Sequence, residues 1–190
     1  MGREFELKYR ADGGKIAAIR EKFGTFSEIS METAYYDTRD FALRRRKWTL
    51  RRRYENGKSV CTLKTPLHDG SRGEWETECG RIEDAVEKLV HSGAPGALLT
   101  FTEQGVTEVC AARFTRLAKI VETGNALVEL ALDQGCLLGG GKALPFGEVE
   151  VELKSGSQTD AVTFAGALAA EFGLIPEEKS KVQRAMELLN

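Results

Sequence analysis

The chain has 190 residues, of which 42% are hydrophobic and 29% charged, the balance of an ordinary soluble domain with a core. Its 27 basic and 29 acidic side chains nearly cancel to a formal net charge of −2, which excludes a general nucleic-acid coat. No apolar run is long enough to span a bilayer, so no membrane role is expected.

Taken in order, the pattern predicts a strand over Arg3–Arg10, a helix near Gly13–Phe23, and strands at Thr33–Asp37, Trp48–Tyr54, Ser59–Thr65 and Arg72–Glu78. A helix near Ile82–His91 interrupts them. Strands return at Arg113–Glu122, Ala126–Asp133 and Glu148–Lys154, and two helices, Gln158–Phe172 and Glu177–Leu189, close the chain. There is no repeat, low-complexity tract or linker, so one domain over 1–190 is expected. Met1 leads straight into charged residues, so no secretory leader is expected and the location is read as cytoplasmic. Cys61, Cys79, Cys110 and Cys136 are scattered without a C-x-x-C pair, which suits reduced thiols better than zinc.

Side chains alternate between the two faces of a strand, and here the alternation sorts charge from hydrocarbon. Glu4, Glu6 and Lys8 oppose Phe5, Leu7 and Tyr9; Arg51 and Arg53 oppose Leu50; Thr62 and Lys64 oppose Cys61 and Leu63. Arg72, Glu74, Glu76 and Glu78 oppose Trp75; Glu129 and Asp133 oppose Val128, Leu130 and Leu132; Glu148, Glu150 and Glu152 oppose Val149 and Val151. A half-exposed sheet explains any one of these strands. All of them together, with helices that need an apolar surface, predict an α+β fold: a closed antiparallel β-barrel with helices packed outside and charge within. The basic run Arg44–Lys47 reads as a solvated turn, Trp48 and Trp75 as outer-face packing, and Gly139–Gly141 as a hairpin loop. His68 and His91 read as surface residues, and Tyr35 and Tyr36 receive no chemistry.

Such an interior suits divalent metal and a dense anion. Carboxylates ligate Mg²⁺ and Mn²⁺, while arginine forks and lysine ammonium groups bind phosphate. The E-x-E pairs Glu4/Glu6 and Glu148/Glu150 supply one kind of wall, and Arg51, Arg53 and Lys64 the other. A linear triphosphate fits both.

These residues resemble the CYTH superfamily, the triphosphate tunnel metalloenzymes. Glu4-Phe5-Glu6-Leu7-Lys8 is similar to the E-x-E-x-K signature, and Tyr35-Tyr36-Asp37-Thr38 to its Y-[YF]-D-T strand. Leu50–Arg53, Thr62–Lys64 and Arg72–Glu76 resemble the L-R-x-R, T-x-K and R-x-E-x-E strands. Leu132-Asp133 and Glu148–Glu150 match two late acidic strands, and Ser180-Lys181 with Arg184 a C-terminal S-K segment. The resemblance implies an eight-stranded tunnel with Mg²⁺ or Mn²⁺. It implies metal ligands at Glu4, Glu6, Glu148 and Glu150, a second metal near Glu74, Glu76 and Asp133, and Glu152 one inward position further. Which two of Glu148, Glu150 and Glu152 serve the first metal stays open. It implies triphosphate contacts at Lys8, Arg51, Arg53, Lys64, Arg116, Lys181 and Arg184, with Lys8 also orienting water and Glu4, Glu6 and Lys8 forming the catalytic set. Arg113 and Arg116 have opposite parity, and Arg116 is favoured as the inward one.

The expected activity is metal-dependent hydrolysis of inorganic triphosphate to pyrophosphate and phosphate. Alternatives are a class IV adenylyl cyclase or a thiamine triphosphatase, and, from another class, a non-catalytic triphosphate or polyphosphate binder. A small-molecule triphosphate is the expected partner, with no nucleic acid and with a homodimer allowed.

Overall fold

The computed structural model describes residues 2–3, 5–67 and 72–189. Glu4 and His68 therefore lie outside the described residues. The first half of the chain forms β1 (Gly2–Arg3), β2 (Glu6–Arg10), α1 (Gly13–Phe23), β3 (Ser27–Asp37), α2 (Ala42–Arg45), β4 (Thr49–Glu55), β5 (Lys58–Pro66) and β6 (Arg72–Glu78). The second half forms α3 (Ile82–His91), α4 (Ala97–Thr102), β7 (Thr107–Thr123), β8 (Ala126–Gly139), β9 (Lys142–Gly156), α5 (Gln158–Phe172), β10 (Ile175–Pro176) and α6 (Lys181–Glu187).

Among the described residues, ten strands form one sheet in the order β1-β6-β5-β4-β3-β7-β8-β9-β2-β10, with every pair antiparallel. The closed eight-stranded barrel expected above is not what the hydrogen bonds draw: the ladder runs from β1 to β10 and does not return on itself. The sheet is nevertheless strongly curled. β1 pairs with β6 and β2 with β9, yet Arg3 and Glu6 are only three residues apart. Three residues of extended chain reach about 11 Å, so the two sides of the sheet must approach within that span.

The tight hairpins follow from local chemistry. β4 turns into β5 through Asn56-Gly57 at φ 48° and 77°, and β8 into β9 through Gly140-Gly141 at φ 57° and 73°. Two successive positive φ angles make the turn whose twist matches paired strands, and glycine adopts them without a Cβ clash.

The apolar faces point outward under helices. α1 and α5 cover Val128, Leu130, Leu132, Val149 and Val151, and Ser157 caps α5 by accepting the Asp160 N–H at 3.2 Å. α3 and α4 cover Leu50, Leu63 and Trp75, with Trp48 partly buried alongside and its ring edge-on to Phe101 at 5.5 Å. α6 differs: its Ala185 and Met186 pack with Met31, Tyr35 and Phe114, on the same face as the charged side chains. It thus occupies one end of the curled interior.

Several boundaries depart from expectation. β3, β7, β8 and β9 run well beyond the alternating segments, because their ends pair with one another regardless of sequence pattern. The last helix begins at Lys181 and not at Glu177, because Ser180 and Gln183 form a reciprocal capping box there. The basic run is not simply a turn: Arg44 and Arg45 lie in α2, and the Arg46 guanidinium stacks 3.8 Å over Phe101. Asp37 holds α2 in place. Its buried carboxylate accepts N–H groups from Thr38 at 2.7 Å, Leu43 at 3.0 Å and Arg44 at 3.0 Å. Cys61 and Cys110 are free thiols that burial pushes up to about 11 and about 12. No described helix is long and apolar enough to cross a membrane.

Replacing Asp37 by alanine leaves those three donors without an acceptor. The expected loss is about 2–3 kcal/mol of stability, read as a lower midpoint in urea unfolding at unchanged slope.

Candidate active site

The inner face of the sheet encloses a cavity of about 350 Å³. Register explains which charges meet in it. Glu6 on β2 stands opposite Glu152 on β9, which stands opposite Glu129 on β8. Three carboxylates therefore share one row across three strands, a juxtaposition that repels unless a cation intervenes. Lys154 partly supplies one, with its Nζ 2.8 Å from Glu152 Oε2 and 3.7 Å from Glu129 Oε2.

The opposite wall is built from β4, β5 and β6. Arg51 Nη2 lies 3.5 Å from Glu74 Oε1 and 3.9 Å from Glu76 Oε1, and Lys64 Nζ lies 3.2 Å from Glu74 Oε1. Thr62 Oγ1 donates to Glu76 Oε1 at 3.0 Å. Arg53 Nε donates to Thr33 Oγ1 at 3.3 Å, and its nearest carboxylate, Glu55, is 4.0 Å away. Burial, then the neighbouring Arg51 and Arg116, pull the Arg53 guanidinium down to about 10. Arg51 keeps a buried Nε without a hydrogen-bond partner. Arg53 is thus crowded by like charge, and Arg51 keeps an unused donor.

Behind this wall pair sits a denser ionic cluster. Arg116 donates through Nε and Nη2 to the two oxygens of Asp133, each at 2.8 Å, and also to Glu150 Oε2. Lys181 Nζ lies 2.9 Å from Asp133 Oδ2 and 2.7 Å from Glu150 Oε1, and donates to Glu148 Oε2. Arg184 donates to Glu148 Oε1. Three carboxylates thus meet three cations, and Asp133 and Glu148 have 0% exposure. Burial alone would raise the Glu150 carboxyl, but Lys181 and Arg116 reverse this and hold it far below the ordinary carboxylate range. Burial likewise works against the charge on Lys181, and Glu150, Asp133 and Glu148 outweigh it, so the ammonium is held more firmly than usual. At Glu148, burial wins and pushes the carboxyl up.

The CYTH domain family matches residues 2–186. The chain belongs to the CYTH family. It is 30% identical over 195 residues to an inorganic triphosphatase of Haemophilus influenzae, covering 97% of this chain and 54% of that protein. The chain therefore spans about half the length of the curated relative it matches. Among solved structures, a Bacillus halodurans protein given a provisional adenylate cyclase label superposes at TM-score 0.70 with 20% identity, covering 97% of this chain and 98% of that one. A Hippeastrum protein, a provisional adenylyl cyclase described as having a dominant triphosphatase activity, gives TM-score 0.67 and 17% identity, with 97% and 95% covered. At these identities the two structures show that the fold is shared.

Within the CYTH fold, the cavity is lined by Glu6, Glu74, Glu76, Glu150 and Glu152, and by Arg51, Arg53, Lys64, Arg116 and Lys181, all singled out from sequence. Arg116 faces this cavity, whereas Arg113 lines a separate groove on the other face of the sheet. Lys8 is largely buried nearby, with Nζ 3.9 Å from Glu6 Oε1 and donating to the Lys179 carbonyl at 3.4 Å. Asp133, Glu148 and Arg184 are not among the cavity-lining residues. They form the ionic cluster behind it, so Arg184 meets Glu148 and Glu177 and not the open chamber. Glu129, Lys154, Arg72 and Tyr35 also line the chamber without having been assigned to it. For Glu129 the signal was its parity with Asp133; for Lys154, its parity with Glu152.

The carboxylates have the donor chemistry of a divalent-metal site. Oxygens of Asp133, Glu148 and Glu150 lie within 4.8 Å of one another, although the Lys181 ammonium now occupies the space between them. The Glu6–Glu152–Glu129 row is the more open set, reaching the chamber directly.

Removing the Lys181 charge leaves carboxylates buried against a deficit of cations. Lys181→Met should lower stability by about 3–5 kcal/mol in metal-free urea titrations, and adding Glu148→Gln should recover part of that loss.

Proposed function

We propose that this CYTH chain hydrolyses inorganic triphosphate to pyrophosphate and phosphate with Mg²⁺ or Mn²⁺, in a tunnel formed as the curled sheet closes around its ligand. The observation that carries this reading is one chamber with a carboxylate row on β2, β9 and β8 facing Arg51, Arg53 and Lys64 on β4 and β5. The resemblance to an inorganic triphosphatase of Haemophilus influenzae supports the same substrate.

In this reading Glu6, Glu152 and Glu129 would hold metal, joined by Glu150 if it gives up Lys181 or Arg116, and Glu74 and Glu76 would be available to a second ion. There a divalent ion would supply charge for the phosphate oxygens and a lower pKa for a water. Arg51 uses its unpartnered Nε on the phosphate chain, and Arg53 recovers from the crowding by Arg51 and Arg116 once an anion lies between them. Lys64 and Arg116 fix the register of the chain against the acidic side. Lys8, beside Glu6, orients the attacking water. Lys181 seals the end of the chamber and keeps Glu150 ionised. Catalysis rests on placement and charge, with no protein nucleophile. The buried free thiols Cys61 and Cys110 suit a reducing, cytoplasmic setting.

The decisive measurement is phosphate release from tripolyphosphate, ATP and thiamine triphosphate, each with Mg²⁺ or Mn²⁺. Preferential release from tripolyphosphate is expected; cyclic AMP formed from ATP would overturn the triphosphatase reading. Glu6→Gln should lower kcat about 100-fold or more with the thermal midpoint unchanged. Arg51→Ala should raise KM and lower kcat/KM about 10- to 100-fold. Wild-type values for both variants would remove the chamber from the reaction.

A further inference from the structure

A second cavity, of about 590 Å³, adjoins the first, and Tyr35, Thr49, Arg72, Ser180 and Val182 line both. Its charge is arranged differently. In the first chamber Arg51, Lys64, Arg116, Lys154 and Lys181 each lie against a carboxylate. In the second, Lys179 is paired with Glu187 at 2.7 Å, but Arg44, Lys47 and Arg72 form no ion pair with a described carboxylate. Asp37 also borders this space, yet its oxygens are already engaged by the backbone N–H groups of Thr38, Leu43 and Arg44.

The contrast has a chemical meaning. Cations interleaved with carboxylates suit metal and phosphate together; cations that no carboxylate pairs suit an anion bound directly. Arg72 belongs to both spaces, so positive charge continues from one to the other. The Trp48 ring, which also borders the second cavity, is held edge-on by Phe101 and partly buried in the outer cluster, which argues against a built base-stacking platform.

We infer that the second cavity is a metal-independent subsite for phosphate residues beyond the third, making linear inorganic polyphosphate longer than three residues a ligand of this chain. Its turnover rests on the triphosphatase reading above: one water cleaves a terminal P–O–P bond, releasing orthophosphate and a chain one residue shorter. Binding in the second cavity does not rest on it.

The test uses the whole chain and the double variant Arg44→Gln/Lys47→Gln, which keeps the Arg44 backbone N–H that Asp37 accepts. Calorimetric titration with tripolyphosphate and with long linear polyphosphate, both with a chelator present, reads the subsite without metal. Wild type should bind the long chain about tenfold more tightly at equal phosphate-end concentration, and the double variant should lose that advantage. With Mg²⁺, the variant's kcat/KM for tripolyphosphate should stay within about twofold of wild type. A wild type with no preference for length, or a variant that retains the preference, would overturn the subsite. If the length preference behaves as expected while tripolyphosphate is not hydrolysed, the subsite stands and the triphosphatase reading falls.

Discussion

A carboxylate taken out of water must be given cations and hydrogen bonds or lose its charge, and this fold buries Asp133, Glu148 and Glu150 together. Arg116 comes to them from the neighbouring strand β7, and Lys181 and Arg184 from α6. The helix is therefore tied to the inner face by charge as well as by Ala185 and Met186. Its start is fixed by the Ser180–Gln183 capping box, which sets Lys181 at the first helical position and its ammonium among the acids. One end of the interior is occupied as a result, and the remaining charges are left around a chamber.

The chamber follows from the same register that forms the cluster. Moving one step along the inner faces of β2, β9 and β8 converts the Lys8–Glu150 pair into the Glu6–Glu152–Glu129 row. The first is balanced by protein cations at close range; the second meets Lys154 closely at Glu152 and has Lys8 and Arg116 only at 3.9 Å from Glu6 and Glu129. Facing that row, Arg51 and Arg53 are largely buried; Arg51 has an unpartnered Nε and Arg53 is crowded by Arg51 and Arg116. A site of this kind is poised for ions of both signs. Where the interior opens toward α2, the bordering carboxylates Asp37 and Glu187 are already engaged, and Arg44, Lys47 and Arg72 are left without an ion pair to a described carboxylate.

Much of this was legible beforehand because strand alternation is strict. The apolar halves of β8 and β9 lie under α1 and α5 as their parity requires, and ten of the residues singled out from sequence line one cavity. Helices α1, α3 and α5 match the expected spans, each carrying a recognisable start or stop. The parts that were not legible are those set by partners remote in sequence. α2 and α4 are too short to be specified by their own propensity and are held by Asp37 and by the cluster around Trp48. Arg184 carries the same charge as Lys181, but one turn further along α6 it reaches Glu148 and Glu177.

The sequence by itself determined which residues are charged on one face of each strand, and so that an ionic interior with helices outside was the consistent fold. Tertiary structure alone decided how those faces align: which acids stand in a row, which are neutralised by α6, and which cations are left without carboxylates. The physical reason is that alternation is a property of one strand, whereas charge compensation depends on register between strands and on where a distant helix docks.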